Sequence, residues 1–276
     1  MTTIDAEQRH EPARSFAIRA RLPAVLAGAA RRSVAILAFL ALWEIFPRLQ
    51  LVDTTFLPPF SEVASALWQL LRSGSLIEHL AASGSRALAG FLIAILISVP
   101  LGLVIGWYER AADILDPLLE IFRNTAPLAL LPVFVLILGL GETSKVAMVV
   151  YACVWPILLN TVSGVRNVDP LLVKSARTMG LTPIWLFLRV VLPAACPTIF
   201  TGIRVSGAYS ILVLIAAEMV GAKAGLGYLI NYAQFNFQVG DMYAGIVTLA
   251  ALGLVFNQIL VRIERRLTTW QPRAIK

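Results

Sequence analysis

The residue types that most often carry catalysis are scarce in this chain, and none is spaced for it. Its two histidines are His10 and His79, and neither stands in an HExxH metal site or beside a GxSxG nucleophile turn. Cys153 and Cys196 lie in separate apolar segments without CxxC spacing. They read as small buried hydrophobes, not as a disulfide or a metal site. The nearest approach to a phosphate-binding loop is GLGETSK at 139–145, which lacks the Gly-Lys pair that would cradle phosphates. An intramembrane enzyme would need a nucleophile, base or metal constellation, and none is present.

Charge inside apolar sequence is the next signal. Arg204 and Glu218 stand toward opposite ends of one apolar run, and Glu44 sits in an earlier one. Ionisable groups in a spanning segment mark a pathway, a partner or a local pair. Arg204 suits two roles, guiding an anion or snorkelling to the inner interface. Glu218 precedes the glycine-rich GAKAGLG at 221–227 and suits a gate or a surface that meets a partner. Glu44 and Arg48, four residues apart, form a local pair.

A polar interruption, residues 167–193, holds the densest pattern. Asp169-Pro170 is an N-cap followed by a first-turn proline, and Gly180 is a natural stop. Thr182-Pro183 starts a second short helix, which Pro193 is expected to end. In the first of these helices Leu172, Ala176 and Met179 share a narrow apolar face, while Lys174 and Arg177 share another. So short a helix gains little stability alone. It either folds back on its own bundle or docks in a partner's groove.

The elements that must position these residues are set by hydrophobicity. Of the 276 residues 58% are hydrophobic and 14% charged, against about 45–50% and about 25% in soluble domains. That excess exceeds what one soluble core can hide and makes a bilayer the expected solvent, with roughly 20 apolar residues per span. Apolar runs at 33–52, 87–108, 117–140 (interrupted by Pro127 and Pro132), 144–165, 198–220 and 241–261 predict an all-α transmembrane fold of six helices. Residues 1–32 form a basic cytoplasmic tail, 33–52 the first span, 53–86 a periplasmic segment, 87–261 a core of five spans and 262–276 a cytoplasmic tail. Arg31-Arg32 resembles a twin-arginine signal, but Glu44, Pro47 and Arg48 follow without a cleavage site. The net charge of +7 sorts by side: with the N-terminus inside, 17 basic residues fall on inner segments and five on outer ones. The excess thus reads as topology rather than nucleic-acid binding, with both termini cytoplasmic. Gly102 and Gly106 make a GxxxG, for close packing within the subunit or for a dimer face. No internal repeat supports an inverted-repeat carrier.

KSARTMG followed by VLP at 174–193 resembles the cytoplasmic-loop signature of ABC-transporter permeases. Ser175 and Ala176 match its two small positions, Gly180 its glycine and Leu192-Pro193 its end; Lys174 stands where the family often has Glu. LPPFSEV (57–63), SRALAGF (85–91), the stretch 115–145, AEMVGAKAGLG (217–227) and ERRLTTW (264–270) are similar in turn to the nitrate/sulfonate/taurine subgroup of importer permeases. The resemblance implies a type I importer subunit of the bacterial inner membrane with cytoplasmic coupling helices, carrying a small anionic solute. It implies an ATPase-coupling loop at Lys174, Ser175, Ala176, Arg177, Gly180 and Leu181, and a path or gate near Arg204 and Glu218. The implied partners are a cytosolic ABC ATPase dimer that uses the ATP, a periplasmic substrate-binding protein, a second copy of the chain and membrane lipid. No cofactor, metal or nucleic acid is expected on this chain. The competing class is an ion-coupled or autonomous transporter or channel.

Overall fold

The computed structural model describes residues 21–267. His10, the tail arginines at 9, 14 and 19, and most of the expected C-terminal tail lie outside the described residues. Among those described there is helix and no strand. In chain order the helices are α1 (Arg21–Arg48), α2 (Phe60–Arg72), α3 (Ser75–Trp107), α4 (Glu109–Asn124), α5 (Leu131–Leu138), α6 (Glu142–Arg166), α7 (Pro170–Thr178), α8 (Pro183–Glu218), α9 (Leu226–Phe235) and α10 (Val239–Leu267).

The chain divides into two compact units, Met1–Glu62 and Val63–Lys276. In the first, α1 carries the earliest predicted span and ends at Pro47-Arg48. Val34, Ile36, Leu37 and Phe39 are all exposed, as lipid-facing side chains would be. The expected Glu44–Arg48 pair forms at 2.5 Å. Glu44 also accepts hydrogen bonds from the Ser61 backbone N–H and hydroxyl, each at 2.9 Å. The indole of Trp43 donates to the Pro58 carbonyl at 3.1 Å and lies 5.7 Å from the Phe60 ring. These contacts fasten the end of α1 to the start of α2.

The second unit is built on α3, α6 and α8. Phe91, Val149, Cys153, Ile157, Ala195 and Ile199 form the heart of its largest apolar cluster. A Cβ on Gly102 would meet Thr161, and one on Gly106 would meet Val165. The GxxxG thus serves close packing of α3 against α6 within the chain, the first of the two roles its spacing allows.

Four helices, α3, α6, α8 and α10, are long and apolar enough to cross a membrane; a fifth span results if Arg110–Asn124 and Pro127–Leu138 count as one despite an 83° bend. That bend falls just before Pro127, the first of the two prolines that interrupt the run. Ala126 before Pro127 is extended, with φ −65° and ψ 121°, as the residue before a proline tends to be.

The helix from Pro183 does not stop at Pro193. It widens into a π-turn over Phe187–Val191, where the Leu192 N–H reaches the Phe187 carbonyl, and runs on to Glu218. Proline lacks the N–H for the next helical bond, and the wider turn lets the chain pass it without breaking.

Candidate functional site

Two groups of polar residues stand out, one at each end of the second unit. The first is the loop at the α6–α8 turn. Asp169 caps α7 by accepting from the Leu171 N–H at 2.8 Å, and Pro170 occupies the first turn, where its missing N–H costs nothing. Gly180 ends the turn with φ +78°, and Thr182-Pro183 begins α8. Of the shared apolar face only Ala176 is buried; Leu172 is 50% and Met179 78% exposed. Neighbouring Ile184 and Trp185 are exposed too, and Arg189 lies 4.4 Å over the Trp185 ring. Lys174, Ser175, Arg177, Gly180 and Leu181 are at least partly accessible. Ala176, with half-buried Val173, seats the helix, and Leu172 and Met179 are left facing outward.

The second group is a buried clamp at the other end. Glu218, 1% exposed, accepts from both the Ser83 hydroxyl (2.7 and 2.9 Å to its two oxygens) and the Gly227 N–H at 3.0 Å. Arg86 Nη1 donates to Glu218 at 2.7 Å and to the Ala224 carbonyl at 2.6 Å. Its Nε and Nη2 grip Glu142 as a fork, Nη2 at 2.7 Å. The Ser83 oxygen accepts from the Leu226 N–H at 2.8 Å, and His79 Nδ1 from the Gly225 N–H at 3.2 Å. Beside them buried Lys145 donates to the Leu140 and Gly141 carbonyls at 3.0 and 2.9 Å. Three side chains of α3, His79, Ser83 and Arg86, thus tie α6, α8 and the 221–227 loop together. Gly225 sits at φ +126°, and a Cβ there would strike the Glu218 carboxylate.

Arg204 and Glu218 share α8 but not a site. Arg204 pairs with Glu264 of α10 at 3.3 Å and is 45% exposed in its side chain. Nothing in this arrangement supplies a nucleophile with its base. No group of three or more His, Cys, Asp or Glu suited to a metal occurs among the described residues.

Residues 98–269 match the model of the binding-protein-dependent transport system inner membrane component. The chain belongs to that family. It is 32% identical over 236 residues to the taurine transport system permease protein TauC of Escherichia coli (strain K12), covering 84% of this chain and 86% of the relative. It is also 32% identical over 242 residues to the bicarbonate transport system permease protein CmpB of Synechococcus elongatus, covering 83% and 86%. In fold it resembles a chain of the MetNI methionine ABC transporter, with TM-score 0.62, 19% identity and coverage of 73% of this chain and 97% of that one. A chain of an amino acid ABC transporter gives TM-score 0.58 at 19% identity, with coverage of 72% and 97%.

The chain is therefore a multi-pass membrane permease of the ABC importer class, all-α with the type I permease fold. In this permease the interhelical clamp went unread in sequence. Arg86 borders the apolar run that starts at 87, so it scored as a loop charge. Ser83 and His79 fall in the expected periplasmic segment 53–86, whereas α3 begins at Ser75. The sequence signals that touch the clamp are Glu218 ahead of its glycine-rich loop and the motifs at 85–91 and 115–145 that hold Arg86 and Glu142.

Proposed function

We propose that this permease moves a small solute bearing an anionic group, such as a sulfonate or bicarbonate, with ATP hydrolysed on a separate ATPase dimer that grips the loop at 170–189. Two copies of the chain enclose the path, both termini face the cytoplasm, and a periplasmic substrate-binding protein delivers the solute at the clamp end. The substrate class is drawn from the relatives named for taurine and bicarbonate transport. The orientation follows the weight of basic residues on one side.

The observation that carries the coupling reading is the outward-facing pair Leu172 and Met179 on a helix that the chain itself seats through buried Ala176 and half-buried Val173. An apolar face left open on a short helix suits a partner's groove. Lys174 and Arg177 stand exposed on the other face of α7, where a groove that encloses the helix would meet their charge, with Lys174 offering a cation where the resembled signature often has an acid. The loop joins α8 without a gap, so a displacement imposed on α7 reaches the membrane segment directly. Gly180 provides the turn between them, and Leu181 follows it into α8.

The test replaces the exposed side chains, leaving the permease's own packing intact. Leu172→Glu and Met179→Glu should each abolish co-purification with the ATPase while membrane insertion and thermal stability are unchanged. Gly180→Pro, which cannot adopt the positive φ, should uncouple ATP hydrolysis from uptake. ATPase retention and coupled uptake in all three variants would show that the loop is not the coupling site.

A further inference from the structure

Between α8 and α10 runs a cavity of about 460 Å³. Its walls are apolar, with Ile211 on α8 and Phe256 on α10; Gly207 lets α8 pack closely on Leu260 and Phe256, and Gly253 leaves room where a larger side chain would close the cavity. A Cβ added to Gly253 would meet nothing within 4 Å. Arg204 and Asn257 are the polar members of the lining.

The position of the arginine defines one end. Arg204 reaches to Glu264, which lies among Arg262, Arg265 and Arg266 in the charged last turns of α10. Asp241 and Arg262 bound a run of α10 without charged residues, so the ion pair marks the polar edge of that helix. From Arg204 to Ile215 at the far end the cavity follows α8 for about 16 Å, at 1.5 Å per residue. A bilayer core is about 30 Å thick, so the cavity has the length of one leaflet. A slot as long as one leaflet, apolar along its walls and cationic at one end, has the form of a phospholipid.

We infer that this cleft binds one anionic phospholipid, its phosphate on Arg204 and Asn257 and one acyl chain between Ile211 and Phe256. Arg204 has a fork of five N–H donors, and the pair with Glu264 at 3.3 Å engages only Nη1. The carboxylate competes with a phosphate for the same cation and sets a moderate affinity. Basic pockets between spanning helices are known to favour acidic head groups. Arg204 thereby gains a role at the lipid boundary, separate from any solute path.

The experiment titrates the delipidated full-length permease in detergent with phosphatidylglycerol, with phosphatidylcholine of the same chains, and with soluble glycerol phosphate, reading bound ligand by native mass spectrometry. Phosphatidylglycerol should bind about fivefold tighter than phosphatidylcholine, the preference that one basic residue near the surface confers. Arg204→Gln should erase that preference, Arg204→Lys should restore most of it, and Glu264→Gln should increase it. Gly253→Leu, which fills open space, should weaken both lipids; thermal melting in the same detergent checks that each variant is folded. Equal affinity for the two lipids, or unchanged binding in folded Arg204→Gln and Gly253→Leu, overturns the inference and leaves the cleft to the chain's own first helix or a second copy. Glycerol phosphate binding as tightly as phosphatidylglycerol overturns it as well, since the acyl slot would then contribute nothing.

Discussion

Arg86 serves two carboxylates of opposite character, Glu218 with no exposed side-chain surface and Glu142 with 66% exposed. Removing one partner of a buried ion pair leaves an uncompensated charge and costs about 3–5 kcal/mol, whereas an exposed pair contributes about 0–1 kcal/mol. Arg86→Gln should therefore lower unfolding stability in detergent by about 3–5 kcal/mol, and Glu142→Gln by no more than about 1 kcal/mol. Equal losses in the two variants would mean that the clamp draws no strength from burial. Gly225→Ala should resemble Arg86→Gln, because its methyl group enters the Glu218 carboxylate at a backbone angle that L-residues rarely adopt. Protease digestion from the clamp side checks this variant separately, with faster cleavage at the 221–227 loop as the expected result.

At the level of elements, the sequence was legible wherever a local rule governs the backbone. Asp169-Pro170, Gly180 and Thr182-Pro183 place the ends of α7 and the start of α8 because capping and turn geometry act over a few residues. The same reasoning stopped α8 at Pro193, and there it failed. The π-turn before it resolves a local conflict by widening the helix, which requires buried Leu186 and Val191 to keep their places in the fold. The clamp was illegible for another reason: its Ser83–Glu218 and Arg86–Glu218 contacts join residues more than 130 positions apart and Arg86–Glu142 spans 56, and no spacing rule reaches that far. A π-turn inside a helix often marks a functional joint, and this one lies between the proposed coupling loop and the membrane segment. Deleting Leu188 removes the extra residue that the wider turn accommodates and leaves this stretch free to run as regular α-helix without the joint. Uptake and ATP hydrolysis should then separate, while α8 remains inserted; coupled transport at the normal rate in the deletion variant would show that the turn has no part in transmission.

For the molecule as a whole, the ledger of charged and apolar residues indicated a membrane protein with one basic side, and the family assignment agrees with the membrane part of that expectation. Purified alone in liposomes, the permease should give no solute accumulation above protein-free vesicles. Adding the ATPase, the binding protein and ATP should start it. Accumulation by the permease alone would instead favour the autonomous-carrier class.

The clamp also sets an order on the birth of the chain. Arg86 is made 132 residues before Glu218, a wait of roughly 7–26 s at bacterial-range elongation rates. Through that interval α3 holds a cation without its buried partner, and the loop it fastens does not yet exist. A chain cut short between Glu142 and Glu218 thus offers Arg86 only the exposed carboxylate of its two partners. The buried half of the clamp therefore closes late, after both α3 and α6, which it fastens, have been made.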